Sequence, residues 1–441
     1  MEPVILARVQ FALTIGFHYL FPPLTIGMSW IIVWMLWRRL RSNEAIYGTM
    51  ARFWIRVFAI SFAIGVATGI PMEFQFGTNW ADYSRFVGDI FGAPLAAEGI
   101  LAFFLESAFL GVLLFGEKRV SRRVYWFSGL MVAVGSTLSG FWIIVANSWQ
   151  QTPAGYTIVN GRAELTDFFA AVFNPSTIQR YLHTIDGALI TGAIFIMGLS
   201  AFYLLRGRHR EFAERSLKMS LIVGLLAALA QLPLGHLHAV QVAETQPAKL
   251  AAFEGLWETQ DNAPLLLFGI PDAETERTDY AVSLPGLLSI GVGGSSDAVV
   301  QGLKDFPRED RPPLLLTFGS FHLMVALGMY FIALTLLGLF LLWREKLYHS
   351  KLFLRLCLLS IPLPFIANEL GWIAAEVGRQ PWIVQGLMRT SDAVSTSVPA
   401  GQILFSILLF SAIYALLFFV WIFLLRRKLK HGPDEAQEVP A

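Results

Sequence analysis

Cysteine is almost absent: the 441 residues contain one, Cys357, set in an apolar run. A disulfide within the chain, an iron–sulfur cluster on thiolates and a C-x-x-C-H heme attachment are therefore all excluded. Charge is also scarce. Charged residues make up 15% of the chain and nearly cancel, at a formal net charge of +1. No basic tract is interleaved with aromatics, so nothing points to nucleic acid. The first apolar stretch lacks a small-residue cleavage site and is expected to be a retained spanning helix, not a signal peptide. Internal repeats and low-complexity segments are not apparent either.

What is abundant is apolar surface. Hydrophobic residues are 55% and aromatics 14%, which suits a membrane protein and not a soluble chain of this length. Runs able to cross about 30 Å of hydrocarbon fall at 9–37, 53–77, 93–115, 124–146, 181–205, 216–238, 314–343, 352–376 and 399–425. The predicted fold class is all-α integral membrane, about nine transmembrane helices bundled as four-helix units plus one. Backbone groups in lipid must be satisfied within each segment, and runs this long do not fit a barrel.

Lys and Arg set the predicted orientation. Connections 38–52, 116–124, 206–218, 344–355 and 426–430 carry four, four, five, four and four of them. Connections 78–92, 147–180 and 377–398 carry one, two and two. The N-terminus is thus expected outside and the C-terminus in the cytoplasm, for a multi-pass membrane protein. The organisation expected is helices 1–6 over 1–238, an external loop region over 239–313, helices 7–9 over 314–430 and a cytoplasmic tail over 431–441.

Ionisable groups inside spans are costly and mark functional sites. They are His18, Glu98, Glu106, His183, Asp186, His322, Glu369 and Glu376. On the predicted orientation all but the deeper Glu369 fall in the outer half of the membrane. Pro22 and Pro23 follow His18 and should break the helix one turn later. Around His183 the small residues of YLHTIDGALITG suit either close helix approach or a flat macrocycle. His322 and Met324 lie about 200° apart on a helix and cannot face one iron; Glu98 and Glu106 lie within about 80° of each other. Two such carboxylates suit either proton relay or helix packing. Arg379 follows Glu376 by one turn, which suits an ion pair, or an iron-bound carboxylate with Arg on a propionate. In QPAKLAAFEGLWETQ, spacing alone makes Lys249 and Glu254 a solvated face of a short amphipathic helix; a quinol-binding pair is the other reading. GVGGSS at 291–296 has no phosphate-loop lysine and is expected to be a plain flexible loop.

These residues lie in long motifs: RVQFALTIGFHYLFPPLTIG, GVATGIPMEFQFGTNW, GDIFGAPLAAEGILAFFLES, SGFWIIVANSWQQTP, PAKLAAFEGLWETQ and GWIAAEVGRQPW. Together with the nine-helix pattern they resemble subunit I of cytochrome bd, the respiratory quinol oxidase, over most of the chain, in a form with a short Q-loop. The resemblance implies a quinol:O2 oxidoreductase with three hemes. His183 and Met324 would ligate a low-spin heme b, Glu376 a high-spin heme b, and His18 a heme d or a heme b in its place. Glu98 and Glu106 would serve the high-spin pair and the proton route, Trp372 and Arg379 would line that pair, and Lys249 and Glu254 would bind quinol. A second membrane subunit (subunit II) and a small single-helix subunit are the implied partners, beside quinol, O2 and the lipid bilayer.

Two departures from the family pattern stand out. His322 occupies a position that is normally Arg, where it would face the cofactor and could compete as a ligand. GHLHAV, with His236 and His238, replaces the usual acidic residues before Lys249. A divergent bd-like oxidase with altered hemes or donor therefore stays open, as does a non-catalytic heme b carrier. A proton-coupled transporter would show broken helices and inverted repeats, and neither is visible in the sequence.

Overall fold

The computed structural model describes residues 2–42 and 44–434; residues 435–441 of the expected tail lie outside them. Among the described residues nine helical segments are long and apolar enough to cross a membrane. They are span 1 (Pro3–Ser42), span 2 (Ala45–Thr78), span 3 (Ala81–Phe115), span 4 (Arg122–Gln151), span 5 (Thr177–Leu205), span 6 (Arg210–Thr245), span 7 (Leu314–Trp343), span 8 (Lys351–Val377) and span 9 (Ala400–His431). Each matches a predicted run: span 7 has the predicted bounds, and the others extend further at one or both ends. Apolar patterning stops at the first polar residues, whereas helical hydrogen bonding continues beyond the hydrocarbon.

Three spans are irregular where the site lies. Span 1 stops at His18 and restarts at Pro22, the break anticipated from Pro22 and Pro23, which lack the N–H to continue the helix. Span 8, expected to be continuous, also breaks, between Lys351–Leu359 and Leu363–Val377. Pro362 and Pro364 account for it. In span 3, residues Glu98–Phe103 form a π-helical turn, a feature common at functional sites.

The small residues of the His183 segment serve close helix approach. A Cβ on Gly27 of span 1 would stand 2.8 Å from the Gly192 nitrogen, and a Cβ on Gly192 would stand 2.5 Å from the Met28 nitrogen. The two backbones touch, as small residues permit in membrane bundles. Span 1 is further tied to its neighbours by polar pairs: Gln10 donates to Ser406 of span 9 at 2.6 Å, and Gln75 of span 2 donates to Thr14 at 2.7 Å.

Between spans 6 and 7 lie a short helix, Pro247–Glu254, and an antiparallel hairpin, Leu265–Asp272 with Arg277–Leu284. Residues Lys249–Glu254 are all buried, so this helix is not the amphipathic one that spacing suggests. Part of GVGGSS is helical: residues 291–293 close the helix Leu287–Gly293.

Gly27→Ala should cost about 3 kcal/mol, the upper end for overpacking, because its Cβ meets backbone that cannot turn aside. Gly401→Ala, with nothing within 4 Å, should be neutral. Thermal midpoints of the purified variants check both.

Candidate functional site

Polar groups gather where the C-terminal turns of spans 4 and 8 and the first turns of span 5 meet the short helix. The carboxylate of Glu376 accepts from Arg379 at 2.5 Å, from Asn147 at 3.1 Å and from Gln151 at 3.1 Å, with Arg180 at 3.8 Å. Arg180 also donates to Asn147, and Arg379 donates to Gln150 at 2.8 Å. Lys249 joins from the short helix, donating to Gln151 at 2.5 Å and to Gln246 at 2.7 Å. Arg180, Arg379 and Lys249 are only 6%, 5% and 3% exposed. Burial, followed by the nearby Arg180 charge, holds the Lys249 pKa well below the ordinary lysine range. A cavity of about 210 Å³ adjoins Lys249, Arg379, Trp382 and Gln385.

The deeper groups are reached through aromatics. Trp372, one turn before Glu376, lies under the Arg180 guanidinium at 5.9 Å and meets Tyr19 edge-on at 5.3 Å. Tyr19 follows His18, whose Nδ1 is 3.1 Å from the Thr68 hydroxyl. That hydroxyl already directs its proton to the Ile64 and Gly65 carbonyls, each at 3.0 Å. The Thr68 oxygen is therefore the acceptor, Nδ1 carries the proton, and Nε2 is left with its lone pair. Glu369 reaches toward the same helix at Gly16, and its Oε1 is buried without a partner.

His183 packs against His238 of span 6, ring centroids 5.4 Å apart, and the Gln231 amide lies 3.4 Å from its Nε2. Its Nδ1 is buried without a partner. The Met324 sulfur faces Gly371 of span 8 so closely that a Cβ there would sit 3.0 Å away. Glu98 and Glu106 both turn to span 4: Glu98 accepts from Ser139 at 2.8 Å, and Glu106 accepts from Ser136.

Two predicted associations are redrawn. Lys249 and Glu254 share a helix but face different neighbours, Lys249 the Glu376 cluster and Glu254 the hairpin, where it accepts from the Leu266 N–H at 3.2 Å. Neither is a solvated residue; Glu254 is 5% exposed. The ring nitrogens of His322 lie 3.1 Å and 3.0 Å from the carbonyl oxygens of Phe318 and Leu266. Both nitrogens face main-chain oxygens.

The family model described as cytochrome bd terminal oxidase subunit I matches residues 6–433. The chain is 44% identical to the cytochrome bd ubiquinol oxidase subunit 1 of Bacillus subtilis, with 100% of this chain and 97% of that protein covered. It is 37% identical to the cytochrome bd-II ubiquinol oxidase subunit 1 of Escherichia coli, with 98% and 97% covered. The solved bd oxidase from Geobacillus thermodenitrificans superposes with a TM-score of 0.93 at 32% identity, over 98% of this chain and 99% of that one. The chain belongs to the cytochrome bd terminal oxidase subunit I family.

A cytochrome bd subunit uses heme, and the side chains present fit such a group. Two guanidiniums flank one carboxylate, and the Nε of both Arg180 and Arg379 is buried without a partner. Surplus buried positive charge calls for an anion, which heme propionates provide. The imidazoles of His18, whose Nε2 lies away from the Thr68 bond, and of His183, buried with one nitrogen unpartnered, suit iron. Among the described residues no three His, Cys, Asp or Glu side chains converge to cage a bare ion. The candidate ligands instead come singly from separate helices.

Sequence reading missed Arg180, Asn147, Gln150, Gln151 and Gln246. The signal was the polar run NSWQQ ending an apolar span, and an arginine one turn before His183.

Proposed function

We propose that this chain oxidises quinol at the end bearing the 239–313 loop and reduces O2 to water at hemes in the same half of the membrane. The observation that carries this reading is the buried cluster in which Lys249 of the loop region reaches Glu376 through the single side chain of Gln151. In this reading His183 and Met324 hold a low-spin heme b, Glu376 a high-spin heme b, and His18 heme d or a heme b in its place. The hemes, when bound, supply electron transfer and oxygen reduction. Two quinols per O2 balance the reaction: each gives two electrons and two protons, and four of each convert O2 to two waters.

The protein's part is positioning and proton handling. Arg180 and Arg379 offer their unpartnered N–H groups to propionates and hold the Glu376 carboxylate in place. Thr68 orients His18. Trp372 fills the space between the His18 and Glu376 helices. Glu254 accepts the quinol protons, and Lys249 donates a hydrogen bond to a quinol oxygen. Glu98 with Ser139, and Glu106 with Ser136, form two carboxyl–hydroxyl stations for protons drawn from the opposite face. The Lys and Arg counts favour the quinol end lying outside a bacterial cytoplasmic (inner) membrane. Releasing protons there and drawing them from the cytoplasm separates charge without a pump. A homologous second subunit completes the oxidase, with a small single-helix subunit as a further partner.

The two broken spans are a feature shared with transporters. A transporter, however, gives no reason for two guanidiniums with unpartnered Nε atoms around one carboxylate. A reduced-minus-oxidised visible spectrum of the purified complex, with quinol-driven O2 uptake, tests the reading. Heme b plus a far-red chlorin band, with uptake, is expected. A colourless protein contradicts it, and heme b without uptake marks a plain electron carrier.

Glu254 lies outside the spans, and burial pushes its pKa up to about 7 against the opposing Leu266 N–H. A base must be deprotonated to accept, so quinol oxidation should fall as pH drops through about 7. Glu254→Gln should remove that acid limb and lower kcat on the order of a hundredfold. An acid limb that persists in this variant counts against the assignment.

A further inference from the structure

We propose that His322 is the positioning residue of the quinol site, holding Leu266 so that the Leu266 N–H fixes the Glu254 carboxylate. The inference rests on the reading that Glu254 serves quinol.

Three elements meet around one residue. Leu266 sits in the first strand of the hairpin, opposite Ser283. Its N–H reaches Glu254 Oε2 at 3.2 Å, and its carbonyl oxygen lies 3.0 Å from His322 Nε2. Both main-chain polar groups of Leu266 thus engage side chains outside the sheet, one from the short helix and one from span 7.

The imidazole is itself held firmly. A neutral imidazole has one N–H, here assigned to Nε2 for the Leu266 carbonyl. Nδ1, 3.1 Å from the Phe318 carbonyl of its own helix, then adds no bond, and ring contacts hold the side chain. The ring stacks on Phe318 at 4.0 Å and meets Phe321 edge-on at 5.6 Å. Phe321, the residue before His322, stacks on Phe253, the residue before Glu254, at 4.5 Å and 4°. The phenylalanine pair locks the short helix to span 7, and His322 locks the strand to the same place. The Glu254 carboxylate is held between these two contacts.

An iron ligand would need one ring nitrogen free of the backbone, and His322 has both beside carbonyls. A space-filling residue would need neither. What the position requires is a donor long enough to reach the Leu266 carbonyl. When that bond is lost, the strand can shift, and a small displacement of an orienting group is enough to weaken binding.

The test is steady-state kinetics of the whole purified oxidase with a short-chain ubiquinol or menaquinol, whichever the wild type oxidises faster. His322→Leu, His322→Gln, Glu254→Gln and the Leu/Gln double variant are compared, and the reduced spectrum of each is recorded. His322→Leu should raise KM about tenfold, the loss of one buried hydrogen bond, with the low-spin heme band intact. His322→Gln, which retains an N–H donor, should restore KM to within about twofold of wild type. The double variant should be no worse than Glu254→Gln alone, because both changes act through one carboxylate.

Loss of the low-spin band in His322→Leu would make His322 a ligand and overturn the proposal. So would additive effects, or an unchanged KM in His322→Leu while Glu254→Gln is impaired; in those cases the quinol site itself stands. Wild-type behaviour of Glu254→Gln would remove the quinol site and this inference with it. Should His322→Leu fail to assemble, His322→Asn, whose amide is too short to span to Leu266, reads the same two quantities.

Discussion

Arg180, Arg379 and Lys249 are withdrawn from water at one end of the bundle around a single carboxylate, Glu376. A buried ion pair is at best near neutral for stability, and a surplus buried cation is costly. The fold meets part of that cost with neutral amides: Asn147, Gln150 and Gln151 from span 4 and Gln246 ahead of the short helix. What the protein leaves unmet, the Nε of each arginine, is what an anionic ligand can satisfy. In the proposed reading, a cofactor bound here would be part of the folded state and not an addition to it.

The irregular helices follow from the same demand. Pro22 and Pro23 follow the end of the first helix at His18, so His18 stands at a helix terminus. The break in span 8 gives the segment Leu363–Val377 its own direction, which carries Glu369, Trp372 and Glu376 past span 1 and span 7. The loop region is coupled to these helices from two sides, by Lys249 through Gln151 and by Phe253 and Leu266 against span 7. Lys249 and Glu376, the proposed substrate and cofactor residues, are therefore neighbours in space, although more than a hundred residues separate them in sequence.

Much of this was legible in the sequence. Span number followed from apolar length, because the bilayer imposes it, and the first break followed from two adjacent prolines. The second break was not anticipated, because Pro362 and Pro364 lie mid-run in SIPLPF, within apolar patterning that continues on both sides. Glu376 declared itself by its cost in lipid, and Arg379 by following it one turn later. Asn147, Gln150 and Gln151 did not, since neutral amides carry no charge to count, and Arg180 lies at a span end where arginine is ordinary. Lys249 and Glu254 were legible only through motif resemblance. Their burial comes from packing against spans 4, 7 and 8 and the hairpin, which no local spacing encodes. His322 could be recognised as a departure, but its two carbonyl partners could not, one of them lying 56 residues away in sequence.

The central claim is that the Glu376 cluster holds a high-spin heme in this chain, separately from the His183 and Met324 site. Reduced-minus-oxidised spectra of purified Glu376→Ala, with heme quantified per protein, test it most directly. The high-spin signal should be lost while the low-spin band remains. A full complement of both hemes in that variant would contradict it.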